Sequence, residues 1–152
     1  MENHKAVGFE CRKMSNILGR CVRSEMAKAG FDEVAITHGW ILGYLYDHRD
    51  EVIYQRDLEE RFGLARSSVA NIVKLMEQRG YITRETEASD ARYKKVKLTA
   101  KGEELQLDTV RLLDSFNEHI EQGITPQERE CFNSVMSKLK DNIQTLYTME
   151  EQ

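Results

Sequence analysis

The sequence predicts a mainly α fold with one small β-hairpin, and three observations carry that expectation. Pro126 is the only proline in 152 residues, where average usage of about 5% would give seven or eight, so long helices can run uninterrupted. Apolar residues recur at steps of three and four through most of the chain, the spacing of one helical face. The period falls to two in only one region, from Tyr81 to Thr99, where β-prone residues alternate with polar ones. With 40% hydrophobic and 32% charged residues, residues 1–152 are expected to form a single globular domain.

Val7, Cys11, Met14, Ile17, Leu18, Cys21, Val22 and Met26 trace the stripe of a long first helix, which Gly30 is placed to stop. Thr37 is the expected N-cap of a second helix carrying Trp40, Ile41, Tyr44 and Leu45. Val52–Tyr54 is a β-prone run too short for more than an edge supplement to a sheet. A short helix over Arg56–Phe62 then pairs Leu58 with Phe62 at i, i+4. After Gly63 a second periodic segment sets Val69, Ile72, Val73 and Met76 on one face and Arg66, Ser67, Asn71, Lys74 and Gln78 off it. Two short helices around a glycine-containing turn are the signature of a helix-turn-helix.

Gly80 supplies the C′ position of that helix. Tyr81–Thr86 and Tyr93–Thr99 read as strands, with residues 88–92 as a polar turn. Val96 and Leu98 fall on one face of the second strand and Lys95 and Lys97 on the other. A hairpin directly after a helix-turn-helix makes a winged helix, so residues 37–101 are the expected winged helix-turn-helix. Thr99 caps a further long helix bearing Leu105, Val110, Leu112, Leu113, Phe116, Ile120 and Ile124 and broken at Gly123 to Pro126. Thr125-Pro126-Gln127-Glu128 combines a capping box with proline at N1, a strong start for a last helix carrying Phe132, Val135, Met136, Leu139, Ile143 and Leu146. The helices at 6–28 and 100–148 exceed what a winged helix needs, and their apolar faces require cover. A second copy of the chain is the simplest source, because a two-fold contact uses one patch twice, so these helices are expected to form a homodimer.

The chain carries a formal charge of −4, an average that argues against nucleic acid. Locally the balance reverses. Residues 65–101 hold nine basic side chains (Arg66, Lys74, Arg79, Arg84, Arg92, Lys94, Lys95, Lys97, Lys101) against four acidic ones (Glu77, Glu85, Glu87, Asp90), an excess of +5 that leaves −9 on the remainder. That basic segment coincides with the second helix of the motif and the hairpin, where phosphate contacts would supply sequence-independent affinity.

Leu64-Ala65-Arg66-Ser67-Ser68-Val69, the run from Leu75 to Arg84 with its Gly80-Tyr81-Ile82-Thr83-Arg84, Ser89-Asp90-Ala91-Arg92, and Leu98-Thr99-Ala100-Lys101-Gly102 resemble the MarR family of bacterial winged-helix regulators in order and spacing. The motifs span residues 55–102, and the flanking helix layout agrees over nearly the whole chain. The resemblance implies a homodimer with intertwined terminal helices. Its two winged parts would bind a pseudo-palindromic double-stranded DNA site, each recognition helix in a major groove and the half-sites about one duplex turn apart.

By position Arg66, Ser67, Ser68, Asn71 and Lys74 would face DNA. Arg66 suits a guanine edge and Asn71 an adenine, with the serines and Lys74 holding phosphate; capping of the helix is the alternative role for Ser67 and Ser68. Asp90 and Arg92 match the family's wing motif, in which the arginine reaches a narrow minor groove and the aspartate holds it. A turn carboxylate beside a solvated arginine is the plainer reading. Lys94 and Lys95 are backbone contacts or a solubilising edge. Three positions depart from the family pattern: Leu58-Glu59 replaces Leu-Ala, Ala65 stands where Ser or Thr often caps, and Asn71 stands where arginine is common. These affect the operator sequence and not the DNA-binding class.

No separate effector domain fits in this length, so a signal would act between the dimer helices and the winged parts. Met14, Trp40, Tyr44 and Phe116 are the candidate lining of a pocket for an aromatic or lipophilic small molecule, with core packing as the alternative for each. Cys11 and Cys21 are the redox candidates, although a thiol on an apolar stripe is ordinarily a small inert hydrophobe. The cysteines lack a CxxC pair, and His38, Asp47, His48 and His119 are too dispersed for a metal motif, so no cofactor or metal is expected. No nucleophile elbow, phosphate loop or zinc-hydrolase motif indicates an enzyme. No run approaches the length of a membrane span, so a cytoplasmic protein without membrane contact is expected. The competing function is a winged-helix module that binds protein and not DNA.

Overall fold

A computed structural model describes residues 6–86 and 93–150, with side chains to residue 146. Six helices and one hairpin follow in the order α1 (Val7–Lys28), α2 (Glu33–Asp47), α3 (Gln55–Phe62), α4 (Arg66–Gln78), β1 (Ile82–Thr86), β2 (Lys94–Leu98), α5 (Ala100–Ile120) and α6 (Pro126–Glu150). This is the mainly α fold with a β-wing that the periodicity predicts. The chain divides into two compact units, residues 1–116 and 117–152.

In the first unit the core is built where α2, α3, α4 and the hairpin converge. Ile41, Leu42 and Leu45 of α2, Leu58 of α3, Val69, Val73 and Met76 of α4, and Ile82 and Val96 of the strands are all buried. Each side chain of this size contributes roughly 1.5–3 kcal/mol on leaving water. The apolar stripe of α4 is thus committed inward, which fixes the direction its polar face must take. On α1 the stripe is covered unevenly: Met26 is buried, Ile17, Leu18 and Val22 are half-buried, and Val7, Phe9 and Met14 are exposed.

α2 starts earlier than the Thr37 cap predicts. Asp32 is the N-cap, its Oδ1 accepting from the Ala35 amide at 2.8 Å, while the Thr37 hydroxyl donates to Glu33 inside the helix. The physical reason is burial on much of the helix surface: Val34 and Ala35 pack as firmly as Ile41, so the first turn lacks the one-sided pattern that marks an amphipathic helix.

α4 ends in a Schellman motif. The Gly80 amide donates to the Glu77 carbonyl at 2.9 Å and the Tyr81 amide to the Met76 carbonyl at 3.0 Å, with Gly80 at φ 75°, a backbone conformation that favours glycine. The chain then enters β1, which pairs antiparallel with β2 in the register Ile82↔Leu98, Arg84↔Val96 and Thr86↔Lys94. Val52–Tyr54 supplements this sheet as expected, through a single bridge between Tyr54 and Lys95 and a bond from the Val96 amide to the Ile53 carbonyl at 2.8 Å.

Thr99 caps α5 as predicted, its Oγ1 accepting from the Gly102 amide at 3.1 Å while donating to the Gly80 carbonyl at 2.6 Å. In the second unit the predicted capping box is present. The Thr125 amide donates to Glu128 Oε2 at 2.8 Å and the Glu128 amide to Thr125 Oγ1 at 3.3 Å; the Thr125 amide first, and the Thr125 hydroxyl donating to the same Oε2 at 2.8 Å, hold the Glu128 carboxyl below its ordinary range. Along α6, Phe132, Val135, Met136, Ile143 and Leu146 are exposed.

Candidate nucleic-acid interface

With Val69, Val73 and Met76 committed to the core, α4 turns Arg66, Ser67, Ser68, Asn71 and Lys74 outward, and all five are exposed. The spacing that separates core from polar positions in the sequence therefore places the five candidates on the outer side of one helix. Its N-cap, Ala65, makes no side-chain capping bond. Among the described residues Arg66 and Lys74 form no ion pair.

Not all of the basic segment is available to a ligand. Arg84 is half-buried and bound to Glu77, with Nε at 3.0 Å from Oε2. That bond above all holds the Glu77 carboxyl below its usual range, burial opposing and Lys94 adding a smaller pull. Arg79 lies 3.6 Å from Asp32 Oδ2, Lys97 lies 3.4 Å from Glu85, and the Lys101 ammonium donates to the Arg79 carbonyl at 2.7 Å. These four cations act within the fold. On β2 Lys94 is exposed, and Lys95, partner of Tyr54 in the bridge, is half-buried. Asp90 and Arg92 lie outside the described residues.

Between α3, α4 and the hairpin lies a cleft of about 430 Å³, walled by Tyr54, Gln55, Arg56 and Glu59 on one side, Arg66 and Ala70 on another, and Arg84, Tyr93 and Lys94 on the third. Arg56 and Tyr93 are the residues sequence reasoning missed here. Arg56 sits in the first turn of α3, where a cation opposes the helix dipole. That local misfit is the signal that marks it in the sequence.

The effector candidates divide. Trp40 and Tyr44 both pack edge-on against Phe62, with ring centroids 4.3 and 5.5 Å apart, and Tyr44 also meets His48 at 4.2 Å. Met14 is exposed on α1 and Phe116 is half-buried on α5. Cys11, Cys21 and Cys131 are free thiols, all exposed. No helix among the described residues is long and apolar enough to cross a membrane.

Residues 34–92, which include α3, α4 and β1, match the model described as the MarR family. Among solved structures, the heme sensor protein PefR from Streptococcus agalactiae, in complex with heme, is 25% identical. That likeness covers 91% of this chain and 94% of that one, with a TM-score of 0.71. MepR, a transcription regulator of the Staphylococcus aureus multidrug efflux pump MepA, shares 20% identity over 91% of this chain and 98% of its own, with a TM-score of 0.74. The MepR–DNA complex superposes with a TM-score of 0.73 at 20% identity, over 90% and 98% of the two chains. The matched segment and the fold agree with the arrangement of α3, α4 and the hairpin: residues 34–92 carry a MarR family segment, and the chain has the winged helix-turn-helix fold of the MarR regulators it resembles.

Proposed function

We propose that the protein is a homodimeric repressor that occludes a promoter by binding a pseudo-palindromic duplex site, and that a small aromatic or lipophilic molecule releases it. The observation that carries the reading is the outward face of α4, five exposed polar residues beside a basic hairpin. Arg66 and Asn71 read base edges, Ser67, Ser68 and Lys74 hold phosphates, and Lys94 and Lys95 lie along the backbone. Arg92, steadied by Asp90, enters the minor groove, an assignment resting on the family's wing motif. Support for the class of signal comes from relatives, since PefR is described as a heme sensor and MepR as a regulator of a multidrug efflux pump.

Selection of bound fragments from random duplex by the purified protein, followed by sequencing, tests this reading. A palindromic consensus is expected, with affinity falling steeply between low and physiological salt. Arg92→Ala should weaken binding to either half-site without unfolding the protein. Binding that is absent, or unchanged by salt, would overturn the DNA reading in favour of a protein-binding winged helix. Repeating the selection with candidate ligands and after thiol oxidation identifies the signal; the oxidation arm reads Cys11 and Cys21.

A further inference from the structure

A duplex separates its major groove from its minor groove by a sugar-phosphate strand. A protein that lays α4 in one groove and its hairpin in the neighbouring one must straddle that strand, so the concavity between the two elements meets phosphate. The cleft described above occupies that position. Four cations line it, Arg56, Arg66, Arg84 and Lys94, against a single carboxylate, Glu59, whose Oε1 accepts from Gln55 at 3.3 Å.

The four cations are not equivalent. Arg84 is bound to Glu77, and Arg66 and Lys94 stand on different walls. Arg56 is held by an aromatic pair: its guanidinium lies 5.1 Å from the Tyr93 ring centroid, its Nη1 is 3.4 Å from the Tyr93 hydroxyl, and Tyr54 meets Tyr93 edge-on at 5.6 Å. The neighbouring Asp57 forms a loose ion pair with Arg56, Oδ1 at 3.8 Å from Nε without a hydrogen bond, and the Arg56 side chain remains 58% exposed with its Nη1 directed at Tyr93. A cation in the first turn of α3 is disfavoured by the dipole. A phosphate in front of it reverses that balance, because the helix N-terminus and the guanidinium then attract the same anion.

We infer that this cleft seats a DNA backbone phosphate, with Arg56 as its principal ligand and Tyr93 as the residue that positions Arg56. The inference rests on the DNA reading above and adds a contact from α3, outside the recognition helix and wing. It predicts that Arg56→Ala weakens binding to the selected operator and to an unrelated duplex by the same factor, about tenfold at 0.1 M salt. The slope of log affinity against log salt should become shallower by about one unit per contact, hence by about two for a dimer with two copies of Arg56. Arg56→Lys should keep the wild-type slope while losing part of the affinity, since a lysine retains the charge without the planar fork that rests on Tyr93. Melting curves separate misfolding from lost contact, and if Arg56→Ala shifts the melt, Arg56→Gln, which keeps a polar side chain and removes the charge, carries the same slope test.

Wild-type protein that shows no salt-dependent duplex binding overturns the DNA reading itself. Wild-type binding with normal salt dependence, combined with an unaltered slope in Arg56→Ala, overturns only the cleft. Loss confined to the operator makes Arg56 a base reader and also overturns it. Equal loss on both duplexes with the shallower slope establishes it.

Discussion

At the scale of single residues, Tyr81 is the point where the start of α2, the end of α4 and the start of α5 meet. Its hydroxyl donates to Asp32 Oδ2 at 2.7 Å, its carbonyl accepts from the Thr99 amide at 3.0 Å, and the Lys101 ammonium lies 4.8 Å from its ring centroid. Burial first, and the Asp32 carboxylate second, push the phenol from 10.0 up to about 12. Burial works upward on Asp32 as well, but the Ala35 amide, the Tyr81 hydroxyl and the Arg79 charge outweigh it and hold the carboxyl below 3.8. The signs fix the pH response. Between pH 10 and about 12 the folded state keeps a proton the unfolded chain has lost, so stability falls as pH rises through that window. At the acid end Asp32 stabilises the fold above its unfolded value near 3.8, and that contribution is lost as pH falls below it. Tyr81→Phe should cost about 1–2 kcal/mol at pH 7 and remove most of the alkaline decline. Urea titrations at pH 7, 10 and 11.5 check this, and a variant that keeps the wild-type decline would place its origin in other groups. None of this is legible from spacing, because the two partners stand 49 positions apart and the sequence marks Tyr81 as the first residue of a strand and part of a family motif, without its partner.

At the scale of elements, what the sequence reveals depends on whether an element is capped by its own neighbours or by distant parts of the chain. The start of α6 is local, with Thr125, Pro126 and Glu128 in one turn, and it forms as read. The start of α2 is also capped locally by Asp32, but its buried first turn hides the period that would point there. The Leu98-Thr99-Ala100-Lys101-Gly102 segment has a reason that only the structure supplies. A Cβ on Gly102 would stand 2.1 Å from the Tyr81 carbonyl oxygen and 3.1 Å from Leu98 Cδ2, so α5 can approach the α4–β1 junction only without a side chain there. Gly102→Ala should therefore destabilise by about 3 kcal/mol, because the obstruction is backbone that cannot rotate aside. Gly39→Ala, inside α2 with nothing within 4 Å of the added carbon, should instead stabilise by about 0.5–1 kcal/mol through helix propensity. Thermal melts of the two variants check the pair, and equal effects would contradict the close approach. Arg56 and Tyr93 escaped the sequence reading for a related reason: their cleft is assembled from α3, α4 and two strands, and only the cation's place in a first helical turn hints at it.

At the scale of the whole molecule, the −4 average conceals a basic reading head and an acidic scaffold, and the scaffold carries a second unbalanced feature. Val7, Phe9 and Met14 of α1 and Phe132, Val135, Met136, Ile143 and Leu146 of α6 are exposed, Phe132 and Leu146 by more than 60%. Apolar side chains in series along two amphipathic helices are too many for a monomer's solvated surface, and the proposed second copy would cover them with a self-complementary contact. The proposed dimer would in turn give the charge division its use, setting two basic heads at a fixed spacing while the acidic scaffold is repelled by duplex elsewhere. Sedimentation at micromolar concentration should accordingly give twice the 17.7 kDa chain mass. Phe132→Glu, which buries a charge in the proposed contact, should shift the population to monomer and lower the melting temperature in a concentration-dependent way. It should also weaken a palindromic operator far more than an isolated half-site, because the second head then binds without the benefit of linkage to the first. Wild-type protein that sediments as a monomer, or a Phe132→Glu variant that dimerises normally, would remove the dimer from the reading and leave a single winged head on DNA.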